Sequence, residues 1–341
     1  MGGATNQFQT GILVDPQIVK AIVNGRLVPF LGAGANLCGR PEMASYKQGQ
    51  YLPSGGELAS YLAENFAYPA SDAQEVRCPH CGKTYPAPYP KDLLRVAQYV
   101  ALFAGSAPLY EELRKIFDAD YPPTVLHHLL ASIPDILLSR HYPPRYQLIV
   151  TTNYDDLLER AFNAASEPFD LVTYVAEGEK RGKFIHRSPD GADCVIENPN
   201  TYPELTLERC SVIMKIHGAV DRTDPDRDSF IITEDHYIDY LSRTDISELV
   251  PAKLAAKLRR SHFLFLGYSL SDWNLRVILH RIWGEQKLTY NSWAVQLEPK
   301  ELDRKFWQKR GVDIIKQPLD SYVAALGEGL QALPQKSEDP P

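Results

Sequence analysis

Short apolar runs separated by amphipathic stretches recur along the chain, and together they predict a sheet covered by helices. Seven runs have the length and composition of buried strands: Leu27–Leu31, Leu148–Val150, Val212–Ile216, Phe230–Ile232, His262–Leu266, Ser292–Leu297 and Val312–Ile315. Helical patterns lie between many of these runs, for example after the start signal Asp15-Pro16. This alternation favours an α/β fold with a Rossmann-like, doubly wound, mostly parallel sheet.

The spacing of the strands is uneven, because more than a hundred residues separate the first from the second. Helical patterns fill that interval, at Glu57–Phe66, Leu93–Phe103, Leu109–Phe117 and Leu126–Leu138. We therefore predict one domain over residues 12–330, with a core from roughly 12–36 and 146–330 and a helical insertion or small subdomain over roughly 37–145. Residues 1–11 and 331–341 are polar or rich in proline, which predicts flexible ends. The segment 177–203 predicts a long loop with a short hairpin.

Glycine-rich and polar residues follow four of the predicted strands. After the first strand comes Gly32-Ala33-Gly34-Ala35-Asn36, where small residues and backbone N–H groups can approach a phosphate. The alternative is a tight turn from strand to helix.

After the second strand comes Thr151-Thr152-Asn153-Tyr154-Asp155. Its hydroxyl, amide and carboxylate groups can bond a ribose or an amide. The alternative is that one of them caps the following helix, which would leave the other polar groups unexplained.

The third strand leads into His217-Gly218, and the fifth leads into Gly267-Tyr268-Ser269. A histidine can take up a proton near neutral pH, although a single histidine is often structural. Asp272, Asn274 and Arg276 open the helix after the Ser269 turn, and capping is again the alternative. Because the carboxyl ends of parallel strands share one edge, these motifs predict a single ligand cleft.

Composition narrows the class of protein. The 341 residues carry a net charge of −7, which argues against a protein that binds nucleic acid directly. We find no apolar run of membrane-spanning length and no signal-peptide pattern at the start, so we expect a cytoplasmic protein. The five cysteines are too few and too scattered to predict a disulfide framework.

The four motifs in this order resemble the SIR2-like family (the sirtuin superfamily), and most closely its prokaryotic branch of antiphage-defence NAD+ hydrolases. The segments that carry the resemblance are GAGAN (32–36), TTNYDDLLE (151–159), KIHG (215–218) and LGYSLSDWN (266–274). The resemblance implies a Rossmann-like domain with a smaller helical module and NAD+ bound between them.

The resemblance also implies a role for each motif residue. Asn153, His217 and Asp155 would be catalytic, with His217 in the position of the family's catalytic histidine. The residues that would hold NAD+ are Gly32, Ala33, Gly34, Asn36, Thr152, Gly267, Ser269 and Asp272.

Two departures separate the chain from sirtuin protein deacylases. Their first motif is followed by a Gly-Ile-Pro-x-Phe-Arg type segment, whereas residues 37–46 here read LCGRPEMASY. They also carry a four-cysteine zinc module after the histidine, whereas here one pair, Cys78 and Cys81, lies far before it. Zinc needs four ligands, so this pair is either half of a zinc site or two free thiols.

The resemblance therefore predicts an NAD+ hydrolase that depletes NAD+ as a defence effector. Because constant activity would be toxic, we expect control by homo-oligomerisation or by a partner such as a HerA-like ATPase. Two alternatives stay open: an NAD-dependent protein deacylase or ADP-ribosyl transferase, and a non-catalytic module that senses NAD+ or ADP-ribose.

Overall fold

A computed structural model describes residues 14–69, 76–77, 84–85, 92–143, 145–242, 250–270, 276–277, 279 and 290–336. The strands in this part of the chain are β1 (Leu27–Leu31), β2 (Val76–Arg77), β3 (Thr84–Tyr85), β4 (Leu148–Thr151), β5 (Phe169–Tyr174), β6 (Phe184–Arg187), β7 (Asp193–Val195), β8 (Ser211–Lys215), β9 (Gly218–Ala219), β10 (Ser229–Phe230), β11 (His262–Leu266), β12 (Ser292–Gln296) and β13 (Val312–Lys316). The α-helices are α1 (Pro16–Val23), α2 (Gly55–Asn65), α3 (Leu93–Phe103), α4 (Ser106–Phe117), α5 (Val125–Ser139), α6 (Leu157–Ala164), α7 (Glu234–Ser242), α8 (Ala252–Arg259), α9 (Glu301–Gln308) and α10 (Leu319–Gln331).

Nine of these strands form one sheet in the order β13-β12-β11-β1-β4-β8-β5-β6-β7. The pairs from β13 to β5 are parallel, and β6 and β7 add an antiparallel hairpin at one edge. The predicted mostly parallel α/β fold is confirmed, and the hairpin predicted within 177–203 is present.

The register aligns the ends of the four motif-bearing strands. Leu31 of β1 is level with both Leu266 of β11 and Thr151 of β4, and Thr151 is level with Lys215 of β8. The chain leaves β1 toward β4 on one side and later returns to β11 on the other. This reversal of strand order is the topological position at which α/β sheets form ligand crevices.

Both faces of the sheet are covered, so its central strands are buried and mostly apolar, with Ser211 and Lys215 of β8 among the exceptions. On one face, Val28 and Phe30 of β1 join a core that includes Leu254 of α8 and Trp307 of α9. The other face packs against α1, α5, α6 and α10. A third cluster, formed mainly by α2, α3 and α4, lies beside the carboxyl ends of the strands and includes Tyr154.

The segment predicted as a helical insertion therefore contains helices with two different positions. The helices α2, α3 and α4 form the third cluster, whereas Leu126 and Leu130 of α5 are buried against the sheet. The division of the chain into core and insertion stays a prediction.

One predicted strand lies outside the main sheet, which corrects our expectation. Ser229 and Phe230 pair with Gly218 and Ala219 in a separate two-stranded ribbon. The apolar side chain of Phe230 is buried in the third cluster, where its ring packs edge-on against Tyr154 with ring centroids 5.3 Å apart. In the described part of the chain, no helix has the length and apolar character needed to cross a membrane.

Candidate functional site

A cavity of about 360 Å³ opens where β1, β4, β8 and β11 end. Ten of the predicted site residues line it: Gly32, Ala33, Gly34, Asn36, Thr152, Asn153, Asp155, His217, Gly267 and Ser269. Asp272 and Asn274 lie outside the described residues, as do Cys78 and Cys81. The structure thus brings the predicted residues that it describes together at one place, and their roles stay predictions.

A larger open groove of about 770 Å³ is lined in part by Glu159 and Asn163 of α6. Its arginines are engaged in ion pairs, Arg187 with Asp193 and Asp221, and Arg222 with Asp156. We place the candidate site in the smaller cavity because the polar groups of four strand ends meet there.

The glycines of the first and fourth motifs allow two turns to touch each other. Gly34 donates its N–H to the carbonyl oxygen of Gly267 at 2.8 Å. Gly267 has φ +67°, and a β-carbon on it would lie 2.0 Å from the backbone nitrogen of Ala35. Close packing between the two turns therefore accounts for these glycines, which is a different reason from the tight turn between strand and helix that the sequence suggested. The same contact joins the turn after β1 to the turn after β11 as one wall of the cavity.

The second motif forms a hydrogen-bonded network with Asn36. The Asn36 amide donates to Asp155 Oδ2 at 2.6 Å, and the Asn153 amide donates to the carbonyl oxygen of Gly32 at 3.1 Å. Asp155 Oδ1 accepts the N–H of Leu157, the first residue of α6, at 3.1 Å. Asp155, which precedes the N-cap residue Asp156, thus holds the first N–H of α6 and also fixes Asn36. Asn153, held by Gly32, is the amide that lines the cavity from β4.

The buried side chain of Lys215 bonds the turn that carries this network. The side chain of Lys215 is 1% exposed, and its Nζ donates to the backbone oxygen of Asp155 and to Glu159 Oε1, the latter at 2.7 Å. Burial raises the pKa of Glu159, and the Lys215 ammonium opposes that rise. The ion pair therefore ties β8 to α6 and to the turn that carries Asn153.

His217 lines the cavity as a buried, neutral imidazole. Burial lowers its pKa from 6.5 to about 3, so the ring is uncharged at neutral pH. Its Nδ1 lies 3.2 Å from the hydroxyl oxygen of Tyr237 in α7. Its Nε2 has no hydrogen-bond partner among the described residues. A buried ring nitrogen without a partner is available to bond a ligand or to receive a proton.

Several lining residues lie outside the sequence motifs, namely Ser54, Gly55, Phe117 and Tyr237. The sequence does contain a pattern that indicates Ser54, because Ser54-Gly-Gly-Glu57 matches the capping box that starts a helix and forms one at α2. Tyr237 had no such signal, since its contact with His217 joins residues from different elements.

Arg40 and Glu57 fix the loop that precedes α2 beside the cavity. The Arg40 side chain, 7% exposed, bonds both oxygens of Glu57 and the carbonyl oxygens of Ala44 and Leu52. Burial alone would raise the pKa of Glu57, but hydrogen bonds from Arg40, Ser54 and the Tyr46 N–H outweigh it and hold the pKa at about 2.

We predict that Glu57→Gln lowers the free energy of unfolding by about 2 kcal/mol at pH 7, because it removes charge-assisted hydrogen bonds. The folded pKa lies below the unfolded value of 4.5. The stabilisation by Glu57 is therefore complete above pH 4.5 and is lost as the pH falls toward 2. Urea unfolding at several pH values measures this, with the exposed Glu64→Gln on the same helix as the control. An equal loss at pH 7 and pH 3 would contradict the prediction.

No group of three or more histidine, cysteine or acidic side chains that could hold a metal ion occurs among the described residues. The zinc interpretation of Cys78 and Cys81 lies outside this part of the chain.

The chain is similar to several known proteins. The family model described as "SIR2-like domain" matches residues 147–315. The NAD(+) hydrolase ThsA of Acinetobacter baumannii (strain 532279) is 31% identical over 192 residues, 56% of this chain and 31% of the relative. The defense-associated sirtuin 2 of Bacillus subtilis is 23% identical over 305 residues, 88% of this chain and 24% of the relative.

This chain therefore spans less than a third of the length of these two curated relatives. Among solved structures, a crystal structure of a SIR2 homologue–NAD complex has 15% identity and a TM-score of 0.34, and the match covers 94% of this chain and 95% of that one.

Proposed function

We propose that this chain, whose residues 147–315 match the model of the SIR2-like domain, is an NAD+ hydrolase that cleaves the bond between nicotinamide and ribose. The products would be nicotinamide and ADP-ribose. One observation carries the proposal: Asn153 and His217 face the same cavity as the turns after β1 and β11. The relatives named NAD(+) hydrolase ThsA support the choice of substrate.

The cavity lies at the ends of β1, β4, β8 and β11, a position that suits a dinucleotide. Its volume of about 360 Å³ lies within the usual range of roughly 300–1,000 Å³ for cofactor sites. The turn from Gly32 to Asn36 lies at the end of β1, where a pyrophosphate is commonly held. The N–H groups of Gly32, Gly34 and Ala35 already bond backbone oxygens, so the small size of the turn, which lets a ligand approach closely, is what it contributes. We assign Ala33, Thr152, Gly267 and Ser269 to the same nucleotide, as the resemblance implied.

Cleavage of the nicotinamide–ribose bond passes through an oxocarbenium-like centre, as in glycoside cleavage. In our proposal Asn153, whose Nδ2 is engaged by Gly32, uses its Oδ1 to orient the ribose or the attacking water. His217 accepts a proton from that water or from a ribose hydroxyl through Nε2. Asp155 holds Asn36 and the start of α6 in place, so its contribution is to position the site.

We further propose that NAD+ depletion serves antiphage defence, as the resemblance implied. The name of the Bacillus subtilis relative, defense-associated sirtuin 2, supports a role in defence. A toxic activity requires control, and we assign that control to homo-oligomerisation or to a regulatory partner such as a HerA-like ATPase. Measuring the rate of NAD+ cleavage at several protein concentrations tests control by homo-oligomerisation. Measuring the rate in the presence of candidate partners tests control by a partner.

Asn153→Ala is expected to lower the rate of NAD+ cleavage by on the order of 100-fold, because a misplaced ribose or water loses the benefit of orientation. Chromatographic separation of nicotinamide and ADP-ribose measures the rate. The matched control is Asn163→Ala, an exposed asparagine of α6, which is expected to leave the rate unchanged. Equal rates in the wild type and Asn153→Ala would place the reaction elsewhere.

NAD+ binding without cleavage would favour the sensing module instead, and cleavage that requires an acylated peptide would favour the deacylase.

A further inference from the structure

The orientation of the His217 ring is set by a residue that the motifs do not contain. His217 lies between the end of β8 and the short strand β9. The Tyr237 hydroxyl oxygen is 3.2 Å from its Nδ1, and the two rings meet edge-to-face with centroids 5.2 Å apart and an interplanar angle of 81°. Tyr237 also lines the cavity.

Helix α7 holds Tyr237 in place through contacts on two sides. Gln98 of α3 donates to Asp235 Oδ2 at 2.8 Å and accepts the Asp235 N–H at 3.0 Å. His236 Nε2 lies 2.8 Å from Glu177 Oε1. The helix is thus fixed to both the third cluster and the loop after β5, so the Tyr237 hydroxyl has a defined position.

This geometry constrains where the imidazole proton lies. A neutral imidazole carries one proton, on Nδ1 or on Nε2, and a tyrosine hydroxyl can either donate or accept. If Tyr237 donated to Nδ1, the proton of His217 would lie on Nε2, and a buried N–H would have no acceptor among the described residues. If Tyr237 accepts from Nδ1–H, Nε2 carries a lone pair.

We propose that Tyr237 is a positioning residue that accepts a hydrogen bond from His217 Nδ1–H and thereby leaves the Nε2 lone pair for the substrate. A lone pair at Nε2 is what a general base requires, whereas an N–H there can only donate. The link to catalysis rests on the proposed hydrolase function. The assignment of the proton to Nδ1 rests on the geometry alone.

The first test measures the tautomer directly in the full chain labelled with ¹⁵N-histidine. Protonated and unprotonated ring nitrogens resonate in separate ¹⁵N regions, and comparison with His217→Gln assigns the His217 signals. The expected wild-type result is a protonated Nδ1 and an unprotonated Nε2. Tyr237→Phe is expected to shift the ring toward the other tautomer. A protonated Nε2 in the wild type, or an unchanged spectrum in Tyr237→Phe, would overturn the inference.

The second test separates positioning from folding by kinetics. Tyr237→Phe removes one oxygen and keeps the ring contact, so we expect kcat for NAD+ to fall about tenfold, the value of one ordinary hydrogen bond. KM is expected to change by less than about twofold, because substrate contacts are retained. The control is Tyr240→Phe, which also removes one hydroxyl from a ring that contacts His217, with centroids 6.1 Å apart. Its kcat is expected to stay close to that of the wild type.

The two proposals can fail separately. If the wild type cleaves NAD+ but Tyr237→Phe matches it in kcat and in tautomer, Tyr237 has no positioning role and the hydrolase stands. If the wild type leaves NAD+ intact but shows the Tyr237-dependent Nδ1–H tautomer, the hydrolase proposal fails and the assignment of the proton stands.

Discussion

Replacing Lys215 with methionine is expected to lower the free energy of unfolding by about 3–5 kcal/mol, because it leaves a buried carboxylate without its counter-charge. Lys215 is 1% exposed and Glu159 12% exposed, and their charged atoms lie 2.7 Å apart. The substitution also removes the donor that bonds the Asp155 carbonyl oxygen. Urea unfolding followed by circular dichroism at pH 7 measures the effect.

Two further variants separate lost charge pairing from the loss of a long side chain. Lys316 closes β13 as Lys215 closes β8, but it is exposed, so Lys316→Met is expected to change stability by less than about 0.5 kcal/mol. The double variant Lys215→Met with Glu159→Met removes both charges and is expected to recover a large part of the loss. A double variant less stable than Lys215→Met alone would contradict the explanation.

His217→Gln is expected to lower kcat for NAD+ cleavage by about 10²–10⁴-fold, the usual contribution of a general base. The glutamine keeps a polar side chain at the position but supplies no basic nitrogen. Because burial holds the His217 pKa at about 3, the imidazole is already in its basic form at neutral pH. We therefore expect no activity step from His217 between pH 5 and 8 in the free enzyme.

NAD+ binding distinguishes a catalytic loss from a folding loss. His217→Gln is expected to bind NAD+ within a few-fold of the wild type in isothermal titration calorimetry, because the nucleotide contacts lie on other strands. The exposed His128→Gln in α5 is the control and is expected to keep full activity. Wild-type turnover in His217→Gln would remove the histidine from the mechanism.

Local patterns were sufficient to predict that the motif residues meet at one cavity, because each motif is a strand followed directly by its turn. Parallel pairing then brings the ends of neighbouring strands to one edge, and the register aligns Leu266, Leu31, Thr151 and Lys215. What could not be predicted are contacts between residues distant in the chain. Asn36 bonds Asp155 across 119 positions, and Lys215 bonds Glu159 across 56.

The errors in the fold have similar causes. The strand β5 was missed because Asp170 and Thr173 interrupt its apolar residues, so F-D-L-V-T-Y is neither a continuous apolar run nor a regular alternation. Asp170 is nevertheless buried, and its Oδ1 lies 3.0 Å from His186 Nε2. Phe230 was assigned to the sheet because apolar character does not reveal which cluster a side chain joins. The glycine-rich turns lie where the sequence predicted them. The reason that glycine is needed there is the close contact between the Gly34 turn and the Gly267 turn.

The most direct test of the account is a single-turnover experiment with the purified chain in excess over NAD+ and no acylated peptide present. Excess protein reveals cleavage even when basal activity is low, and the products are separated by chromatography. We expect equal amounts of nicotinamide and free ADP-ribose from the wild type, and their formation at least about 100-fold more slowly by His217→Gln. NAD+ that is bound by the protein but recovered intact after prolonged incubation would contradict it.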